Sequence, residues 1–125
     1  VSGLDAPSLS LFKAIMKWFP MIFASVAVGL ILYGSLVPGR LRPRSGLDGH
    51  VEHGLAYALC MTLVLPFAGN PWAIAVLSIA MIAAAAILET AQHWIPGRSG
   101  RLTHFLASAV GVVVPALATI LLAMR

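Results

Sequence analysis

The stretch from Trp72 to Ile95 constrains this chain most. It is apolar almost throughout, yet it closes on Glu89, Gln92 and His93 before Pro96-Gly97. Trp72 and Trp94 lie 22 residues apart, and at ~1.5 Å per residue that is about 33 Å, the separation of the two interfacial belts of a bilayer. The run therefore reads as a helix crossing a membrane. Proline lacks an amide donor and glycine accepts a chain reversal, so Pro96-Gly97 ends it. Glu89, Gln92 and His93 stand at i, i+3 and i+4, which puts all three on one helix face. A carboxyl so deep in an apolar helix is costly unless it has a partner or a use.

Three more apolar runs share this character. The first expected span is about 18–37, with Pro20 in its first turn and Pro38-Gly39 ending it. Before it, Val1–Ser10 reads as a polar lead-in and Leu11–Lys17 as a short interfacial helix, with Lys13 and Lys17 reaching toward headgroups. The second span is about 51–68 and crosses only if the turn carrying His50, Glu52 and His53 lies at the interface. The third is about 72–95. The fourth is about 102–124, with Pro115 at a kink and Ala107 and Gly111 forming a small-xxx-small pair. The run Ala83-Ala84-Ala85-Ala86 also invites close approach by a neighbouring helix. The expectation is an all-α membrane protein, one domain over 1–125, with four transmembrane helices as two antiparallel hairpins.

Composition agrees. The chain has 125 residues, 60% hydrophobic and 10% charged, where a soluble domain carries roughly 25% charged residues. The net charge of +4 does not indicate nucleic acid, because the basic residues lie between apolar runs, where they meet lipid headgroups. Cys60 is alone, so no disulfide framework exists, and its apolar setting makes it a small core residue.

With this topology one membrane face collects all four histidines, Glu52, Glu89, Gln92, Tyr57 and five of the eight Lys/Arg residues. The opposite face keeps little beyond Lys13, Lys17 and Arg125. Positive-inside counting gives five against three, and three against three if Arg98 and Arg101 are functional, so charge sets no orientation. Within the rich corner, Glu89 and Arg98 form a candidate pair. Glu89 either serves as a proton acceptor or headgroup contact, or caps the free amides that begin span four. Arg98 and Arg101 suit a lipid phosphate. His53 and Tyr57, one turn apart, line either a polar cleft or an aromatic belt. Ser108 lies one turn beyond His104 and is a candidate for an interhelical hydrogen bond. Arg40, Arg42 and Arg44 form a headgroup-contacting loop. The histidines also admit a metal set drawn from His50, His53, His93 and His104, but no HExxH motif is present and interfacial hydrogen bonding is the simpler reading. No metal and no cofactor are expected.

The run His53-Gly54-Leu55-Ala56-Tyr57, then Glu89-x-x-Gln92, Pro96-Gly97-Arg98 and Gly111, resembles the VanZ-like family of small bacterial membrane proteins. The resemblance covers roughly positions 29–115. Its founding member is associated with low-level resistance to the glycopeptide teicoplanin, so the resemblance implies a bacterial inner-membrane, multi-pass protein in a cell-envelope context. The chain departs from the family pattern at His104 and Ser108, where an Asp and an Asn are usual, and at Gly49-His50, where Asp-Lys is usual. Any activity carried elsewhere by that acid and amide is in doubt here. The expected function is binding of an anionic lipid or lipid-linked envelope precursor through Glu89, Gln92, Arg98, His53, Tyr57, His104 and Ser108, with no reaction assigned to them. One alternative is an accessory subunit of a larger respiratory or photosynthetic membrane complex, with other membrane-protein subunits as partners. A second is a phospholipid-headgroup hydrolase or transferase.

Overall fold

The computed structural model describes residues 6–42 and 44–125, and these form four helices with no strand among them. Helix α1 runs Ala6–Leu36, α2 Gly49–Val64, α3 Pro71–Ala91 and α4 Leu102–Ala123. Three of them, over Pro7–Leu36, Pro71–Trp94 and Leu102–Ala123, are long and apolar enough to cross a membrane. Their outer surfaces agree with that, since Leu11, Ile22, Leu30, Ile79, Ile87, Val114 and Leu122 are all more than half exposed. Helix α2 has 16 residues, about 24 Å at helical rise, and continues into a tight turn over Leu65–Phe67.

The expected break between an interfacial segment and the first span is absent. Pro7 stands at the second position of α1, where its missing amide costs nothing, and no helix breaker follows before Trp18. Leu11–Lys17 therefore continues the same helix, and Pro20 becomes an interior residue rather than a first-turn one. Of the expected polar lead-in, the first five residues lie outside the described range, and the rest begins α1.

The other helix starts follow ordinary capping chemistry. Asn70 accepts the Ala73 amide at 2.8 Å ahead of Pro71. Asp48 accepts the His50 amide at 2.9 Å and meets the His50 ring at 2.6 Å. Those two contacts, the backbone one first, hold the Asp48 carboxyl below its ordinary range.

Packing is closest between α2 and α4. A Cβ placed on Gly111 would stand 2.3 Å from the Gly54 carbonyl oxygen, so the backbones approach as only glycine permits. One placed on Gly54 would meet the Ala107 carbonyl at 3.4 Å, and one on Gly49 would meet His104 at 3.2 Å. Positions 49 and 54 thus climb α2 as 104 and 107–111 climb α4, and the two helices run parallel. Around this seam Cys60, Met61, Ser108 and Val112 are shut off from solvent, with Tyr57, Leu65 and Ala116 close behind. Helix α3 packs on α4, and α1 packs on α2 and more lightly on α3.

The two loops at the glycine-rich end are fastened to each other. The Gly39 amide donates to the Pro96 carbonyl at 3.2 Å, and a Cβ on Gly39 would stand 2.2 Å from the Gly97 oxygen. Gly97 itself has φ +74°, a conformation that disfavours side chains. These contacts draw the ends of α1 and α3 to one corner.

The backbone contact at Gly111 yields a direct test. Gly111→Leu forces α2 and α4 apart and costs about 1–3 kcal/mol or more, the usual penalty for overfilling a packed seam. Thermal unfolding in detergent reads it, with Gly29→Leu, which meets nothing within 4 Å, as the tolerated control.

Candidate functional site

Glu89 belongs to the last turn of α3 and is 8% exposed. Its Oε1 accepts the Arg101 backbone amide at 2.6 Å. Arg101 is the N-cap residue of α4 but contributes no side-chain cap of its own. A carboxylate from the neighbouring helix thus caps α4, placing negative charge where the helix dipole favours it. Of the two roles open to Glu89 in the sequence, the structure supplies the capping one. The expected Glu89–Arg98 ion pair is not formed among the described residues, because the loop turns the Arg101 amide, not the Arg98 side chain, onto the carboxylate.

Two imidazoles stand over the same carboxylate. His53 Nε2 lies 3.6 Å from Oε2 and His104 Nδ1 lies 3.5 Å from Oε1, with all three side chains largely buried. The His53 and His104 rings face each other at 4.7 Å between centroids, and His50 meets His104 edge-on at the same separation. Residues from α2, α3 and α4 converge here because Gly49 and Gly54 leave room for α4 to come in close.

Gln92 sits beside this group, 2% exposed, and its Nε2 has no protein partner. His93 does not join it. The chain tightens into a 3-10 turn over Gln92–Trp94, closed by the Ile95 amide on the Gln92 carbonyl, and that tightening changes the facing of every residue after Ala91. His93 is exposed, its Nδ1 3.2 Å from the Thr90 carbonyl, and its ring lies against Gly100. The i, i+4 relation to Glu89 read from the sequence fails for this reason. Span three correspondingly ends as an α-helix at Ala91 rather than at Ile95.

Next to the carboxylate corner lies a cavity of about 390 Å³ lined by Arg42, His50, Gln92, Arg98, Arg101 and His104, among others. A second, of about 360 Å³, shares Arg42 and Arg98 and adds Arg44 and Ser45. Arg98 is half-buried and its Nη1 has no protein partner. Burial, and then the Arg42 charge nearby, pull the Arg98 pKa below its ordinary value. The corner therefore holds several guanidinium groups and two unanswered buried donors.

Arg42 carries more than a headgroup loop requires. It pairs with Glu52, whose carboxylate also accepts the Ser45 hydroxyl and, at 3.3 Å, the Ser45 amide. This ten-residue clasp closes the loop between α1 and α2, and no spacing in the sequence announces it. Tyr57 is buried and, with His53, Arg42 and Glu52, lines a smaller cavity of about 100 Å³ against Gly34 and Ser35 of α1. Ser108 is buried too, but its hydroxyl returns to the His104 carbonyl of its own helix at 3.1 Å rather than crossing to another.

Set against known protein families, curated proteins and solved structures, the chain matches none.

The site is thus read from its own chemistry. It combines one buried carboxylate, two imidazoles, and a cavity lined by Arg42, Arg98, Arg101 and Asp48, beside which two buried donors have no protein partner among the described residues. Glu89→Ala removes the cap of α4 and leaves the Arg101 amide unanswered, at a cost of about 1–3 kcal/mol. Glu89→Gln keeps an acceptor there and loses less. Thermal unfolding of the two variants side by side checks the order, and equal losses would remove capping as the structural role of Glu89.

Proposed function

We propose that this chain is a VanZ-like protein of the bacterial inner membrane that binds the phosphate of an anionic lipid or lipid-linked envelope precursor at its cationic corner. In this reading α2 is the fourth crossing, with the turn carrying Gly49–His53 at the interface and the cavity open to headgroups. The observation that carries it is the pair of buried donors, Arg98 Nη1 and Gln92 Nε2, left without partners beside a cavity lined by Arg42, Arg98 and Arg101. A buried donor without an acceptor costs about 1–3 kcal/mol, and a phosphate oxygen would answer both. The resemblance supports the reading as well, since its His53, Glu89, Gln92 and Arg98 meet at one corner although they are scattered along the chain.

The test uses the full chain reconstituted in vesicles of phosphatidylglycerol, of phosphatidylcholine, or of phosphatidylcholine doped with a polyprenyl phosphate, then examined by native mass spectrometry. Wild type retains the phosphatidylglycerol or the polyprenyl phosphate in preference to phosphatidylcholine. Arg98→Ala and Gln92→Ala reduce that retention about tenfold, the loss expected of one charge-assisted contact. Retention that ignores headgroup charge, or that survives both substitutions, defeats the proposal.

A second reading, an accessory subunit of a larger membrane complex, is favoured by α3, where Ala83 and Ala84 are exposed and offer a smooth surface to another helix. Mass spectra of the chain extracted gently from its own membrane decide this one. A partner subunit that co-migrates and is lost in Ala84→Leu supports it, and a lone chain removes it.

A further inference from the structure

We propose that His53, Glu89 and His104 form a binding site for one divalent transition-metal ion of the zinc class, with its fourth position adjoining the cationic cavity. The metal set suggested by sequence spacing was centred on His50, His53, His93 and His104. The fold turns His93 away and leaves Glu89, at the end of α3, with His53 of α2 and His104 of α4. Each of the three offers a ligand atom, and these atoms all lie within 4.8 Å of one another.

The distances favour an ion over direct hydrogen bonding. At 3.6 and 3.5 Å, neither imidazole nitrogen closes a hydrogen bond on the carboxylate, which would need about 2.7–3.2 Å. Two ligands held tetrahedrally at zinc distances are separated by about 3.3–3.4 Å. Each imidazole nitrogen stands near that separation from one oxygen of the Glu89 carboxylate, His53 from Oε2 and His104 from Oε1. With the three ligand atoms within 4.8 Å of one another, the side chains must draw inward to close on one ion. Nitrogen, nitrogen and carboxylate oxygen form a known donor set for zinc with an open fourth position.

Orientation is already fixed. The Arg101 amide holds Glu89 Oε1, the kind of outer contact that keeps a ligating carboxylate in place. That amide answers only Oε1, and a cation beside the buried carboxylate would offset its charge further. His104 lines the cavity that Arg42, Asp48, Arg98 and Arg101 also line, so the proposed ion would border that cavity. The metal site itself does not depend on any lipid being bound.

The experiment is equilibrium dialysis of the full chain in detergent against zinc, followed by elemental analysis, with cobalt as a spectroscopic substitute. Wild type takes up a single ion per chain, and the cobalt form shows the intense visible bands of tetrahedral coordination. His53→Asn, His104→Asn and Glu89→Gln each weaken uptake at least tenfold, since loss of an outer-shell contact alone costs about 10–100-fold. His93→Ala leaves it unchanged. His53→Asn does not touch the α4 cap, so uptake lost there in a protein with wild-type elution and thermal unfolding reports the ligand and not the fold. Absence of stoichiometric binding overturns the proposal, as does binding that survives His53→Asn and His104→Asn but disappears in His93→Ala. Phosphatidylglycerol retention measured on the same zinc-free and zinc-loaded samples separates this outcome from that of the lipid reading.

Discussion

One carboxylate at the end of an apolar helix fixes where the rest of this molecule goes. Glu89 cannot sit at 8% exposure without compensation, and the nearest strong donor is the Arg101 amide at the head of the next helix. Satisfying it requires the chain to leave α3, reverse within a few residues and return directly over the helix end. Pro96 and Gly97 provide the reversal, and Gly100 has no side chain because a Cβ there would stand 2.2 Å from the Glu89 carbonyl. The direction of α4 is therefore set by a charge that had to be answered. In turn α4 runs along α2, and His53 and His104 are carried to the same carboxylate.

The second constraint is backbone approach without side chains. Lipid-facing surfaces cannot drive helices together by hydrophobic burial, because the surrounding tails are equally apolar. What remains is dispersion and shape, both of which improve as the helix axes draw closer. Gly54, Ala107 and Gly111 give α2 and α4 that closeness, and the residues sealed from solvent gather along the same seam. Polar convergence and close packing are consequently one event. If the seam were wider, His53 and His104 would no longer face each other across 4.7 Å.

Much of this was legible before the fold was known. Apolar run length places α3 and α4, and the turns at Pro38-Gly39, Asn70-Pro71 and Pro96-Gly97 separate the helices as proline and glycine chemistry requires. Glu89, His53 and His104 were also recognisable, because charge and imidazole are conspicuous against an apolar background. What escaped was anything set by contact rather than by composition. The Arg42–Glu52–Ser45 clasp depends on how a ten-residue loop folds back, and no periodicity encodes that. His93 was placed with Glu89 by assuming uniform α-winding, whereas the helix tightens at Gln92 just before its break. The start of α1 was set too late for a related reason. A proline halfway along an apolar run reads as a boundary, but Pro7 already occupies the position where a helix accepts one.

The polar corner divides into two halves of opposite need. On one side, a carboxylate and two imidazoles stand together at distances too long for hydrogen bonds. On the other, the Arg98 guanidinium and the buried Gln92 amide each present a nitrogen with no acceptor among the described residues. The obvious internal solution, Glu89 with Arg98, is the one the fold declines, since the carboxylate is already committed to the Arg101 amide. The two proposed ligands, a cation beside the carboxylate and an anion beside Arg98, follow from that division. His104 and Gln92 both line the cavity, so the carboxylate half and the donor half of the corner share one boundary.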